Sequence, residues 1–141
     1  MIILDTNVVS EPLRAHPDPA VLAWIDRQAP DTLFLTTVSI AELWAGIDQL
    51  PAGKRRVQLE TALEERILPV FQNRVLGFGP DAARAFGRVH AAAQAAGNSM
   101  DFPDCAIAAI ASSSRYLIAT RNLKDYRGTG VRLLNPWVER H

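Results

Sequence analysis

Short apolar segments that run straight into polar residues at the start of a helix recur along this chain, and that recurrence restricts the fold more than any other feature. Ile2 to Leu4 reads as a buried strand ending at Asp5, and Leu33 to Thr37 as a second one leading into Ser39 to Glu42. Val75 to Phe78, Tyr116 to Ala119 and Val131 to Leu134 supply three more strands. Strands separated by helices are joined by crossovers, and crossovers make parallel neighbours. The expected architecture is α/β, a mainly parallel central sheet with helices on both faces.

The helices carry their own punctuation. Asp18 and Pro19 place a capping residue and a first-turn proline at the start of DPAVLAWIDRQA. Ser39 and Glu42 have the spacing of a capping box, opening a helix through Leu43, Trp44 and Ile47. After the break at Leu50 to Gly53, KRRVQLETALEERI has apolar residues at 57, 59, 63 and 67 and reads as one amphipathic helix. Pro80 leads an alanine-rich helix that Gly97 and Asn98 end, and Asp101 opens CAIAAIASSSR, apolar nearly all round and therefore central.

A length of 141 residues suits one domain, spanning 1–141, with no internal repeat or linker. With 48% hydrophobic and 21% charged residues, the composition is that of a soluble globular chain. No apolar run approaches the ~20 residues of a membrane span, and no secretory leader pattern opens the chain, so a cytoplasmic location is expected. Cys105 is the only cysteine, which excludes an intrachain disulfide and a cysteine-rich zinc site, and its place on a buried helix points to packing. Zero net charge argues against nonspecific coating of nucleic acid but leaves room for a local groove. Lys54, Arg55, Arg56, Arg84, Arg88, Arg121 and Arg127 are the candidates, though for any single one a solvated helix face is the more ordinary reading.

In open parallel sheets, ligands bind beyond the carboxyl ends of the strands. Four polar clusters map to that edge. Asp5 closes strand one, Glu42 lies in the first turn after strand two, Asp104 lies in the first turn of the central helix, and Asn122 follows strand four. Each has a structural explanation as well: a capping box for Ser39 and Glu42, a helix start for Asp101 and Asp104, a turn for Asp5, a loop for Asn122. Their joint placement is what suggests a site. Gathered carboxylates repel and lose solvation, so such a site calls for a cation, and oxygen-only donors favour magnesium or manganese over zinc. His16, His90 and His141 have no metal-ligand spacing. A divalent ion on carboxylates suits phosphodiester hydrolysis, and the chain lacks the glycine-rich phosphate loop, the dinucleotide fingerprint and the serine-hydrolase elbow.

Four ordered segments, ILDTNVVSEPLR, VSIAELWAGI, DCAIAAIASSSRYLIATRN and GVRLLNPW, give the chain a resemblance over nearly its whole length. It resembles the PIN-domain ribonucleases, specifically the VapC-like and FitB-like toxins of bacterial toxin-antitoxin pairs. The resemblance implies that Asp5, Glu42 and Asp104 bind magnesium or manganese, Glu42 directly or through water. The fourth motif position falls at Asn122, where many relatives carry an acid; Asp125 or Asp101 are the acids at hand to compensate. By the same likeness Thr6 and Thr120 line the site and Arg121 meets substrate phosphate.

The implied activity is metal-dependent endonucleolytic cleavage of structured RNA, such as tRNA or rRNA. The implied partners are a small VapB/FitA-like antitoxin whose tail obstructs the acidic site, with DNA reached only through that antitoxin, and a second copy of the chain in a homodimer. Leu43, Trp44, Ile47 and Leu50 are candidates for a partner groove or for core. A second reading makes the chain a weakly active or inactive partner that clamps a DNA-binding antitoxin on its operator. A third is a phosphatase acting on small esters.

Overall fold

The computed structural model describes residues 1–138, so the reading of His141 lies outside the described residues. Five strands form one sheet: β1 (Ile2–Leu4), β2 (Leu33–Thr36), β3 (Val75–Leu76), β4 (Leu117–Ala119) and β5 (Leu133–Leu134). Their order is β3-β2-β1-β4-β5, and every pairing is parallel. In register, Ile3 stands between Phe34 on β2 and Ile118 on β4. The chain runs outward from β1 to β2 and β3, then returns to β4 on the other side of β1. That reversal makes the gap between β1 and β4 the switch point where crossovers diverge.

Among the described residues six α-helices flank the sheet: α1 (Thr6–Val9), α2 (Pro19–Arg27), α3 (Thr37–Asp48), α4 (Lys54–Ala62), α5 (Pro80–Ala95) and α6 (Phe102–Ser114). Strand side chains alternate between faces, and here they divide the core in two. Leu4 and Ala119 face Trp24, Leu43, Ile47, Leu63 and Phe71, whereas Ile3 and Ile118 face Ala82, Val89, Ile107 and Ile110 of α5 and α6. Helix α6 is buried continuously from Cys105 to Ala111, as its all-round apolar sequence requires. No helix among the described residues is long and apolar enough to cross a membrane.

Several boundaries differ from the sequence expectation. The segment expected as one helix from 54 to 67 is α-helical only to Ala62, then widens into a π-turn at Leu63–Ile67 and tightens into a 3-10 turn at Leu68–Phe71. Pro69 is the reason: it has no N–H to continue the i to i−4 ladder. Strand β3 stops at Leu76 rather than Phe78, where Gly77 and Gly79 lead to Pro80. The short helix α1, directly after β1, has no counterpart in the sequence reading.

Helix ends are closed by local bonds. Past α5, the N–H of Gly97 (φ +81°) donates to Gln94 and that of Asn98 to Ala93, satisfying carbonyls the helix leaves open. Helix α6 starts on Asp101, whose carboxylate accepts the Asp104 N–H at 3.0 Å, and Pro103 sits in its first turn.

Candidate active site

Asp5 is the first residue beyond β1 and Thr120 the first beyond β4, so the switch point brings them together. The Asp5 N–H donates to the Ala119 carbonyl at 2.9 Å, fixing the backbone across that gap. Asp5 is 5% exposed, and both of its carboxylate oxygens are engaged. Oδ1 accepts the Thr6 N–H at 2.8 Å, capping α1; Oδ2 accepts the Thr120 hydroxyl at 2.8 Å and the Tyr126 hydroxyl at 3.0 Å. Burial pushes the Asp5 carboxyl above its ordinary range, while these three donors pull the other way.

Buried Thr120 is itself oriented. Its oxygen accepts the Asn122 N–H at 3.1 Å and the Asn7 side-chain amide at 3.3 Å, which leaves its proton directed at Asp5. The Asn7 Oδ1 in turn accepts the Arg121 N–H at 3.2 Å, tying α1 to the loop after β4. Burial, and then the charges of Asp5 and Asp104, push the Tyr126 hydroxyl far above its usual range, so it keeps the proton it donates to Asp5.

Helix α3 contributes a second layer, by a different route from the one expected. The cap is Thr36, whose Oγ1 accepts the Ser39 N–H at 3.0 Å; Ser39 and Glu42 do not form a capping box. The helix therefore begins at Thr37, and Glu42 stands in its second turn rather than its first. A helical turn separates Ser39 from Glu42, so both side chains reach the same neighbour. The Thr6 hydroxyl lies 2.7 Å from Glu42 Oε1 and 2.9 Å from Ser39 Oγ.

Asp104, in the first turn of α6, completes the set. Its carboxyl is pushed up to about 7, first by burial and then by the charges of Asp101, Asp5, Asp125 and Glu42. These five carboxylates from four separate segments thus share one electrostatic environment. Asp125, on the 3-10 turn Leu123–Tyr126, raises both Asp5 and Asp104. Asn122 is exposed, and its contributions to the site are backbone ones: its N–H to Thr120, and its carbonyl to the Asp125 N–H at 3.1 Å. The acid that this segment brings to the cluster is Asp125. Arg121 is exposed, with its guanidinium 5.2 Å over the Trp137 ring.

Among the described residues, no group of three or more acidic, histidine or cysteine side chains is drawn together closely enough to hold an ion as it stands. The donor set is nonetheless all oxygen and mutually repulsive, which fits a hard divalent cation. Buried Cys105 packs in α6, with its thiol pushed up by burial. His16 and His90 are exposed. Of the basic triplet, Arg56 pairs with Asp48 and Glu60, and Arg55 donates to the Leu13 carbonyl at 2.9 Å. Leu43 and Ile47 are core, and Trp44 packs beside them half-buried.

Three contributors escaped the sequence reading: Tyr126 as a donor to Asp5, Asn7 as a bridge, and Ser39 as a neighbour of Thr6. A tyrosine in an otherwise polar loop was the only signal for the first. The other two depend on contacts across 33 and 114 positions of chain, which no local pattern encodes.

The PIN-domain family model matches residues 2–127, which include every acid described above. The chain is 45% identical over 137 residues to the plasmid stability protein StbB of Pseudomonas syringae pv. tomato, covering 97% of this chain and 99% of that protein. It is 43% identical to VapC ribonuclease Y4jK of Sinorhizobium fredii, with 97% and 98% covered. Among solved structures, FitAcB from Neisseria gonorrhoeae matches with a TM-score of 0.93 at 36% identity, covering 99% of this chain and all of that one. With the family model and near-full-length relatives in agreement, this chain belongs to the PIN-domain family.

Proposed function

We propose that the chain is a metal-dependent endoribonuclease, the toxin of a toxin-antitoxin pair, and that it cuts a structured RNA such as tRNA or rRNA in the cytoplasm. The observation that carries the reading is Asp5, buried at the β1/β4 switch point, held by three donors and sharing its environment with Asp104, Glu42 and Asp125. Relatives named VapC ribonuclease and toxin FitB, 43% and 36% identical over nearly the whole chain, support it.

Asp5, Asp104 and Glu42, the last directly or through water, are the residues that would hold magnesium or manganese. Such an ion supplies activation of water and stabilisation of charge on a phosphoryl oxygen. The chain's own part is to orient. Thr120, Tyr126 and the Thr6 N–H fix the Asp5 carboxylate in one pose, so no reorganisation is needed when substrate arrives. Thr6 restrains Glu42 in the same way. Asp125 supplies the acid that Asn122 does not, and Arg121, stacked on Trp137 at the rim, is placed to meet phosphate. The attacking water gives its proton to a carboxylate of the cluster and displaces the leaving oxygen in line at phosphorus; as that P–O bond breaks, the leaving oxygen takes a proton from solvent.

The partners of this reading are a small VapB/FitA-like antitoxin and a second copy of the chain. A cavity of about 230 Å³ bounded by Ser10, Leu13, Arg55 and Leu59 opens beside Glu42, where an inserted tail would obstruct the acids. One finding favours a second role: a relative 35% identical was solved as FitAB bound to a DNA fragment, which suits a chain that also clamps a DNA-binding antitoxin.

Cleavage of small structured RNAs by antitoxin-free protein, with magnesium or manganese against EDTA, tests the proposal. The expected result is discrete cuts that need both metal and Asp5, abolished in Asp5→Asn with the fold retained. If wild type and Asp5→Asn behave alike across a broad RNA panel while antitoxin is still bound, the nonenzymatic role stands instead.

A further inference from the structure

Three phenylalanines meet beside the first turn of α6, the helix that carries Asp104. Phe102 is the first residue of α6, next to Asp101 and two before Asp104. Its ring packs 6.0 Å from Phe78, edge to face, and 5.3 Å from Phe86 at a tilt of 39°. Phe78 also meets Phe86 edge-on at 5.8 Å, and His90 stacks on the far ring at 6.2 Å, nearly parallel to Phe86. The rings are thus held by one another. Yet Phe102 remains 61% exposed and Phe78 37% exposed, the former among the most exposed large apolar side chains described.

A folded chain gains nothing by leaving a braced aromatic ring in water. The size of the patch indicates what would use it. A phenylalanine carries about 200 Å² of surface, so the two rings together expose roughly 200 Å². A specific protein interface buries about 800 Å² on each partner. The patch is far below that scale, and most of it is the single ring of Phe102, an area one base can cover. Its position matters as much: it is contiguous in chain and space with the helix start that carries Asp101 and Asp104. Unpaired RNA bases are recognised by stacking on aromatic side chains, because every base offers a π-face.

We propose that Phe102, braced by Phe78 and Phe86, is a stacking platform for an unpaired base adjoining the phosphate that is cut. Phe102 is a positioning residue: it holds the nucleotide and does no chemistry. The inference rests on the ribonuclease reading above and adds a requirement to it, namely that the substrate is unpaired beside the cleavage point.

Binding is measured apart from cutting, in an Asp5→Asn background with magnesium, using a short unstructured single-stranded RNA and the same RNA with an abasic position walked along it. Phe102 is compared with Phe102→Leu, which keeps the apolar bulk, and with Phe102→Trp, which keeps the π-face. Sedimentation reports the assembly state of each. The expected result is that Phe102→Leu weakens binding roughly tenfold and Phe102→Trp does not, that one abasic position removes the difference, and that sedimentation is unchanged. In the active protein, Phe102→Leu raises KM more than it lowers kcat, and Phe102→Trp restores it. Equal binding by all three, with RNA cutting intact in wild type, overturns the platform and leaves the ribonuclease reading standing. A shift of Phe102→Leu to a smaller species overturns it in favour of a contact between copies of the chain. Absence of both RNA binding and cutting in wild type removes the ribonuclease reading and the platform with it.

Discussion

At the scale of single residues, the site is organised by donors that point at one carboxylate. Tyr126 is 2% exposed, and its hydroxyl is one of two that reach Asp5 Oδ2. Replacing it with phenylalanine keeps the ring packing and removes the donor, at an expected cost of about 1–3 kcal/mol for a buried acceptor losing a partner. Because that hydrogen bond lowers the Asp5 pKa, Tyr126→Phe also moves the rising limb of the pH–activity profile to higher pH; thermal unfolding and a pH–rate series check the two effects. Asp104 makes a separate prediction. Its carboxyl is raised from 3.8 to about 7, so between those values the folded chain binds more protons than the unfolded one. The contribution to stability is complete below the lower value and is lost as pH rises through the higher. Without added metal, the melting temperature should therefore fall as pH rises through this window, and Asp104→Asn should flatten the fall. A metal-free melting series showing equal slopes for the two proteins would remove the coupling.

At the scale of elements, the start of α3 decides where Glu42 stands. The Thr36 hydroxyl accepts the Ser39 N–H, and through the helix it sets the phase that brings Ser39 and Glu42 to Thr6. Thr36→Ala is expected to cost about 0.5–2 kcal/mol, the usual loss of a side-chain cap. Cleavage should fall with it, because Glu42 loses its fixed approach. Urea titration gives the first quantity and initial rates the second. The capping box expected at Ser39 and Glu42 gives way for the same reason. Ser39 and Glu42 have the required spacing, but Thr36 offers an equivalent hydroxyl at the end of β2, one turn earlier. Sequence spacing alone does not choose between two adjacent caps; the end of the hydrogen-bonded strand does. Pro69 acted similarly on the helix after Gly53, ending in a π-turn what apolar periodicity read as continuous.

At the scale of the whole molecule, the central strands carry both the core and the site. Ile118 on β4 is fully buried against α5 and α6, two residues before Thr120. Ile118→Ala leaves a cavity under the sheet and is expected to cost about 2–5 kcal/mol. It should also loosen the Thr120 to Asp5 contact, so activity falls at temperatures where the protein is still folded; calorimetry beside RNA cleavage separates the two. The doubly wound order explains why substitutions in the middle of the sheet reach the acids at all. Beta strands β1 and β4 are neighbours, and the residues just past both of them are hydrogen-bonded to each other.

Much of this was legible in the sequence, for physical reasons that act locally. Apolar runs bounded by polar turns marked all five strands, helical spacing and first-turn prolines marked the long helices, and the alternation of the two fixed a parallel sheet with two covered faces. The placement of Asp5, Asp104 and Glu42 beyond strand ends followed from that alternation. The tertiary structure decided which polar residues meet. Tyr126 reaches Asp5 across 121 positions, Thr120 across 115, and Thr6 reaches Glu42 across 36. It also decided that the turn after β4 sets the Asp125 charge near Asp5 and Asp104, while Asn122, exposed, makes its hydrogen bonds there through its backbone. Chain patterns register the period of one element at a time. The site lies where four segments converge, and only the packed sheet brings them there.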